Sequence, residues 1–231
     1  MIFRGLLVAT LLAPVTFMVT SAHAAAVSGE ANIAGNVSVS STNINFSPQF
    51  VNTAGAMETG SFAGLTGGNI MSLTGPVTGA VNVPNFINFN QGVASPITFD
   101  LTFISPGVGT MAACGSSAPG SVCTPTGSPF TLVQLTSDTV VATLQLNGNA
   151  YTGSAADGSS LTRGVFSTQT VIGGTLPAIL GRLGNGGTLT GITYSASFAA
   201  SPVPEPASML LMGLGLTGAG LVARRRRSNQ A

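Results

Sequence analysis

The sequence predicts an all-β body, a single β-sandwich whose spacing allows a jelly roll, with one short helix and a membrane-directed segment at each end. Three observations predict it. Apolar and polar residues alternate over short runs, as in strands with one buried face. Gly, Pro, Asn and Ser separate these runs throughout. No segment repeats at a fixed period, which argues against a solenoid or propeller.

Taken in order, the first strand region lies between Gly29 and Phe46. Ile33, Val37 and Val39 fall on one face, and Asn32, Asn36, Ser38 and Ser40 on the other. Asn36-Val37-Ser38 matches a glycosylation sequon but reads as strand. Ile97-Thr-Phe99-Asp-Leu101-Thr-Phe103 is the cleanest strand, with its four apolar residues inward and Asp100 on the solvated face. Val140-Val-Ala142-Thr-Leu144-Gln-Leu146 repeats the pattern. Asn147-Gly148 then signals a hairpin turn, with a return through Ala150-Tyr151-Thr152. Ile192-Thr-Tyr194-Ser-Ala196-Ser-Phe198 is the last alternating strand. Weaker runs lie at Asn69 to Leu73, Val81 to Val83, Phe86 to Phe89, Phe130 to Leu135 and Gly164 to Thr170.

One segment has helical spacing. Leu176, Ile179, Leu180 and Leu183 stand at i, i+3, i+4 and i+7. Thr175 is placed to cap, Pro177 suits the first turn and Gly184 can stop the helix. Cys114 and Cys123 flank a Gly/Ser/Pro loop, and an even count in an exported chain reads as a disulfide pinning a long loop between strands.

The N-terminus reads as a signal peptide over residues 1–24. Met1 to Arg4 is a short positive region and Gly5 to Val19 an apolar one that Pro14 interrupts. Ala22 and Ala24 form the A-x-A pattern of a signal peptidase site, so the mature chain is expected to begin at Ala25. The body spans 25–200.

The C-terminus is a tail of three parts. Residues 201–206 are a linker containing Pro204-Glu205-Pro206. Residues 207–223 are an uncharged apolar stretch at the lower length limit of a membrane-spanning helix. Residues 224–231 begin with Arg224, Arg225, Arg226 and Arg227, a stop-transfer block that leaves the tail cytoplasmic and the body outside the cytoplasmic membrane.

Pro-Glu-Pro, a glycine-broken apolar helix and an Arg cluster, in that order at the C-terminus, resemble the PEP-CTERM sorting domain. The resemblance covers roughly residues 202–227, about a tenth of the chain. It implies export in a Gram-negative bacterium that makes extracellular polysaccharide, and recognition of Pro204, Glu205 and Pro206 by an exosortase-type membrane protease. Besides exosortase and signal peptidase, exopolysaccharide is a partner it brings into view. Physically, the prolines deny the segment a helix and leave an extended strip beside the membrane.

The body offers little chemistry. Its acids are Glu30, Glu58, Asp100, Asp138 and Asp157, its bases Arg163 and Arg182, a balance of about three negative charges. Five of the seven arginines lie in the terminal segments, and Lys is absent. A weakly acidic surface without a basic patch argues against nucleic acid. The one histidine, His23, falls inside the signal peptide. Common Ser-His-Asp and Cys-His mechanisms and His-based metal sites are therefore not expected, nor any cofactor. Asp157-Gly158 resembles a fragment of a calcium loop but reads as a turn.

Two function classes remain: a non-enzymatic exported surface or matrix protein, or a secreted module binding a ligand, with a glycan the best-fitting class and Tyr151 and Tyr194 available for stacking. Exposed coplanar aromatics would favour the second and core burial of the rings the first. A secreted hydrolase would need two carboxylates in one cleft.

Overall fold

The alternating runs are strands of one sheet. The computed structural model describes residues 26–47, 50–53, 58–75, 78–168, 172–202 and 212–218. Among them the strands are β1 (Gly29–Val39), β2 (Asn43–Phe46), β3 (Phe50–Thr53), β4 (Gly67–Ile70), β5 (Leu73–Thr74), β6 (Gly79–Gln91), β7 (Ile97–Ile104), β8 (Val122–Cys123), β9 (Phe130–Thr136), β10 (Thr139–Thr152), β11 (Ser160–Thr168), β12 (Ile172–Gly173) and β13 (Leu189–Pro202). The helix α1 (Leu176–Gly184) lies where its spacing predicted, although it runs through Gly184 and ends at a cap on Asn185, with Gly186 at φ +77° beyond it.

Following hydrogen-bonded neighbours gives the path β11-β13-β1-β3-β4-β6-β7-β10, and β10 pairs back onto β11. These strands therefore close on themselves, every pair antiparallel. The all-β prediction holds, but one curled sheet stands where two stacked sheets were expected. Alternation reveals which residues face inward; it does not reveal that strands far apart in sequence will pair and close a ring. Closure removes the exposed edges that an open sheet must protect.

The Asn147-Gly148 turn is a second correction. β10 runs straight through it, pairing with β7 on one side and β11 on the other. Gly148 keeps the inward register of Leu144, Leu146 and Ala150. A Cβ there would collide with the carbonyl oxygen of Asp100 and the ring of Phe99. The glycine admits a close approach at a register shift in the β7–β10 pairing rather than making a turn. The hairpin into β10 lies earlier, between Thr136 and Thr139. Phe103, expected inward, is 39% exposed.

The closed sheet is filled by rings. Phe46, Phe62, Phe86, Phe89, Phe99, Phe166, Tyr194 and Phe198 form one continuous set of tilted and edge-to-face contacts, with centroids 5.3–6.3 Å apart. Such pairs add about 0.5–1.5 kcal/mol each beyond the area they bury. The two ends of this core close differently. At the Gly29 end of β1, a 3-10 turn at Gly60–Phe62 inserts Phe62 against Phe89, and Ser61 N–H donates to the Ser28 carbonyl at 2.7 Å. At the Val39 end, α1 lays Ile179, Leu180 and Leu183 over the interior.

Candidate functional site

β13 is an interior strand that carries the chain out of the fold. It lies between β1 and β11, pairing Ala200 with Gly29 on one side and Thr162 on the other. Its last pair is Pro202 with Ser160, so the sheet extends two residues into the segment read as linker. Proline is tolerated there because a terminal position needs no further ladder donor. The strand that begins the body and the strand that ends it are thus neighbours, and both terminal segments attach at the Phe62 end.

The predicted sorting residues Pro204, Glu205 and Pro206, the block Arg224 to Arg227, and the signal-cleavage residues Ala22, Ala24 and Ala25 lie outside the described residues. Of the predicted membrane stretch, residues 212–218 are described and helical, with Met212 70% and Leu216 69% exposed. The Thr217 hydroxyl donates back to the Gly213 and Leu214 carbonyls at 3.0 and 2.9 Å. Among the described residues no helix is long and apolar enough to cross a membrane.

The predicted disulfide is formed. Cys114, in a 3-10 turn at Ala112–Gly115, bonds Cys123 on β8 with Cα atoms 4.8 Å apart. Both are buried. The loop they close is tied to β9 by Gly120 N–H donating to the Gln134 carbonyl at 2.7 Å, and by Gln134 N–H donating to the Ser121 carbonyl at 3.0 Å.

Gln134 is a residue the sequence reading passed over. Its side chain is fully buried. Its Nε2 donates to the Thr136 carbonyl at 2.7 Å, and its Oε1 accepts from Leu176 N–H at 2.8 Å. Thr175 holds the predicted cap position without making a side-chain cap bond. The cap is supplied by Gln134 from another strand. The signal available was register: Gln134 shares the alternating face of Phe130 and Leu132.

Asp100 and Asp138 are both hydrogen-bonded within the fold. Asp100 Oδ1 accepts from Asn85 N–H at 2.7 Å and from the Tyr151 hydroxyl at 3.2 Å. Asn85 has φ +54° inside a bulge of β6 against β7, so Asp100 fastens an irregular stretch of strand. Asp138 sits in the β9–β10 hairpin, held below the usual carboxylate range by the hydroxyls of Thr136 and then Thr139. Asp138 precedes Thr139 at the start of β10, whereas Asp100 pairs with Asn149, ten residues further along that strand. At ~3.3 Å per residue the two acids are roughly 30 Å apart, far beyond the ~5–10 Å separation of a glycosidase pair. The Asp157-Gly158 step is a turn, with Gly158 at φ +129° after a short 3-10 segment.

Tyr194 is buried among Phe46 and Phe166, and Tyr151 is half-buried with its hydroxyl on Asp100. The two tyrosines do not form a stacking platform for a sugar.

The PEP-CTERM protein-sorting motif matches residues 202–227. The match begins on Pro202, the last residue of β13. No curated protein and no solved structure matches the chain. The motif implies an exported protein made as a membrane-anchored precursor and processed by an exosortase.

Proposed function

We propose that this chain is a non-enzymatic surface or extracellular-matrix protein: a closed β body delivered by a C-terminal tail that an exosortase cuts. The observation that carries the proposal is where the sorting motif starts. Matching begins at Pro202, where the last strand ends, so a cut within the motif leaves the sheet whole. A small, weakly charged body that exposes Ser, Thr and Asn suits residence in a hydrated polymer, and Asp100 and Asp138 are bonded within the fold and far apart.

The attachment geometry adds an orientation. Because β1 starts and β13 ends at the same end, the tethered precursor presents its α1 end away from the membrane. The test is fractionation of a tagged protein in cells with and without the exosortase, with mass spectrometry of the C-terminus. The expected result is a trimmed product in the exosortase strain and an untrimmed, membrane-bound chain in its absence. An identical full-length C-terminus in both strains would overturn the sorting reading.

A further inference from the structure

The charges of the body are not spread evenly along the barrel. Register places each of them relative to the exit of the chain, where Pro202 pairs with Ser160. Glu30 pairs with Ala199, three residues before that exit. Glu58 precedes Thr59, whose N–H donates to the Glu30 carbonyl at 2.9 Å. Asp100 pairs with Asn149, Asn149 with Leu161, and Leu161 with Ser201, one residue from the exit. Asp157 ends the 3-10 segment that leads into Ser160. Four of the five acids of the body therefore stand at the tether end.

The two arginines do not offset them there. Arg182 lies in the last turn of α1, at the opposite end. Asp138 shares that end, because its carbonyl accepts from Gly174 N–H at 2.6 Å, two residues before the helix. These two charges cancel. Arg163 starts in the same row as Glu30, since both pair with Ala199. Its Nη2 donates to Gln145 Oε1 at 2.7 Å, and Gln145 pairs with Val165, two residues further from the exit. The guanidinium is thus drawn away from the acids. Even with Arg163 included, the tether end carries all three net negative charges of the body. The amino group expected at Ala25 and the carboxylate of Glu205, which flank that end in the sequence, cancel each other.

We propose that the tether end repels an anionic lipid surface, which holds the anchored body off the membrane and leaves Pro204, Glu205 and Pro206 open to the protease. This rests on the anchored precursor proposed above. Residues 203–206 separate the last strand from the predicted membrane stretch, and four residues reach at most ~14 Å. The field of a charged bilayer decays over about 8 Å at physiological ionic strength. The tether is therefore long enough for the body to stand beyond that field and short enough for it to rest on the lipid. Charge decides between the two. A surface potential of about −30 mV disfavours each negative charge roughly threefold, so three net charges disfavour contact about 30-fold.

The test uses the full-length chain, purified from cells lacking the exosortase and inserted into nanodiscs. The chain has no tryptophan, and Tyr151 adjoins Ala150, which pairs with Ser160 at the tether end. Energy transfer from tyrosine to a dansylated lipid therefore reports the stand-off. Exchanging about 30% of the phosphatidylcholine for phosphatidylglycerol should lower the transfer at low salt, and about 0.5 M salt should restore it. Glu30→Lys with Asp157→Lys converts the tether end from three net negative charges to one positive, and should raise the transfer instead. With contact then favoured roughly threefold, trimming in cells that have the exosortase should slow about fourfold. Ser41→Lys with Thr126→Lys, at exposed positions beside α1, should behave like the parent. Should the paired tether-end variant fail to fold, Asp157→Lys alone, outside the strands, should still raise the transfer above that of the parent. Transfer in the parent that ignores phosphatidylglycerol overturns the proposal, as do substitutions beside α1 that act as strongly as those at the tether end. A chain that fails to insert overturns the anchored precursor as well, whereas an inserted chain with unchanged transfer overturns the stand-off alone.

Discussion

The Gln134 side-chain carbonyl accepts a hydrogen bond from Leu176 N–H at 2.8 Å, across a sequence separation of 42 residues. One buried amide thereby joins the β9–β10 hairpin, through Thr136, to the first turn of the helix that roofs the barrel. The unpaired N–H groups of a helix start need acceptors, and here a strand provides one. Gln134→Leu retains the volume and removes both bonds, leaving buried groups unpaired at about 1–3 kcal/mol each. We expect a loss of about 2–4 kcal/mol in chemical denaturation, with faster hydrogen exchange concentrated in α1. An unchanged exchange pattern in the helix would show that the bond does not hold it.

Gly35 pairs with Tyr194 across β1 and β13, and the Tyr194 ring lies over its bare Cα. A Cβ there would stand 2.9 Å from both Cε1 and the hydroxyl oxygen of Tyr194. Gly35→Ala should cost about 1–3 kcal/mol through overpacking. Tyr194→Leu, which clears the ring, should absorb most of that penalty in a double-mutant cycle, giving clear non-additivity. Additive losses would mean that the alanine is accommodated without meeting Tyr194.

What could be read from the sequence, and what could not, divides along the range of the interactions. β7, β10 and β13 were legible because alternation is local: Ile97, Phe99 and Leu101, then Val140 to Leu146, then Ile192 to Phe198, are buried at every second residue. The spacing of Leu176, Ile179, Leu180 and Leu183 located α1 equally well, because each of them contributes to its packed face. Closure of the sheet was not legible, since the pairing of Thr143 with Ser167 and of Ile33 with Thr53 depends on segments distant in the chain. The Asn147-Gly148 turn was misread because the dipeptide outweighed the alternation of Leu144, Leu146 and Ala150 running through it. Tyr194 was legible as a strand residue. That its ring packs against Phe46 and Phe166 depends on those two arriving from β2 and β11.

The Cys114–Cys123 bond closes a short loop whose backbone is fastened to β9 and whose 3-10 turn packs against α1. A sequence separation of 9 corresponds to a stabilisation of about 2–3 kcal/mol in the chain-entropy model. Replacing both cysteines by serine should lower stability by about that amount. Because the loop backs the helix, exchange should rise in α1 as well as in the loop itself. A loss confined to residues 114–123 would separate the disulfide from the roof of the barrel.

Alkaline pH should weaken the fold through its two tyrosines. Burial raises Tyr194 above the ordinary phenol value of 10.0. Burial, then the charge and hydrogen bond of Asp100, raise Tyr151. The unfolded chain loses these protons near pH 10, whereas the folded chain keeps them to higher pH, so above that point the unfolded state binds fewer protons. The stabilisation linked to both phenols is fully present below pH 10 and is lost as pH rises through the folded values. With no tryptophan in the chain, phenolate absorbance reports these two residues directly. We expect both to ionise late, Tyr194 after Tyr151. Asp100→Asn removes the negative charge beside the Tyr151 hydroxyl and should shift only the earlier ionisation toward lower pH. Titration of both phenols near 10 in the folded protein would contradict the buried position of Tyr194 and the Asp100–Tyr151 contact together.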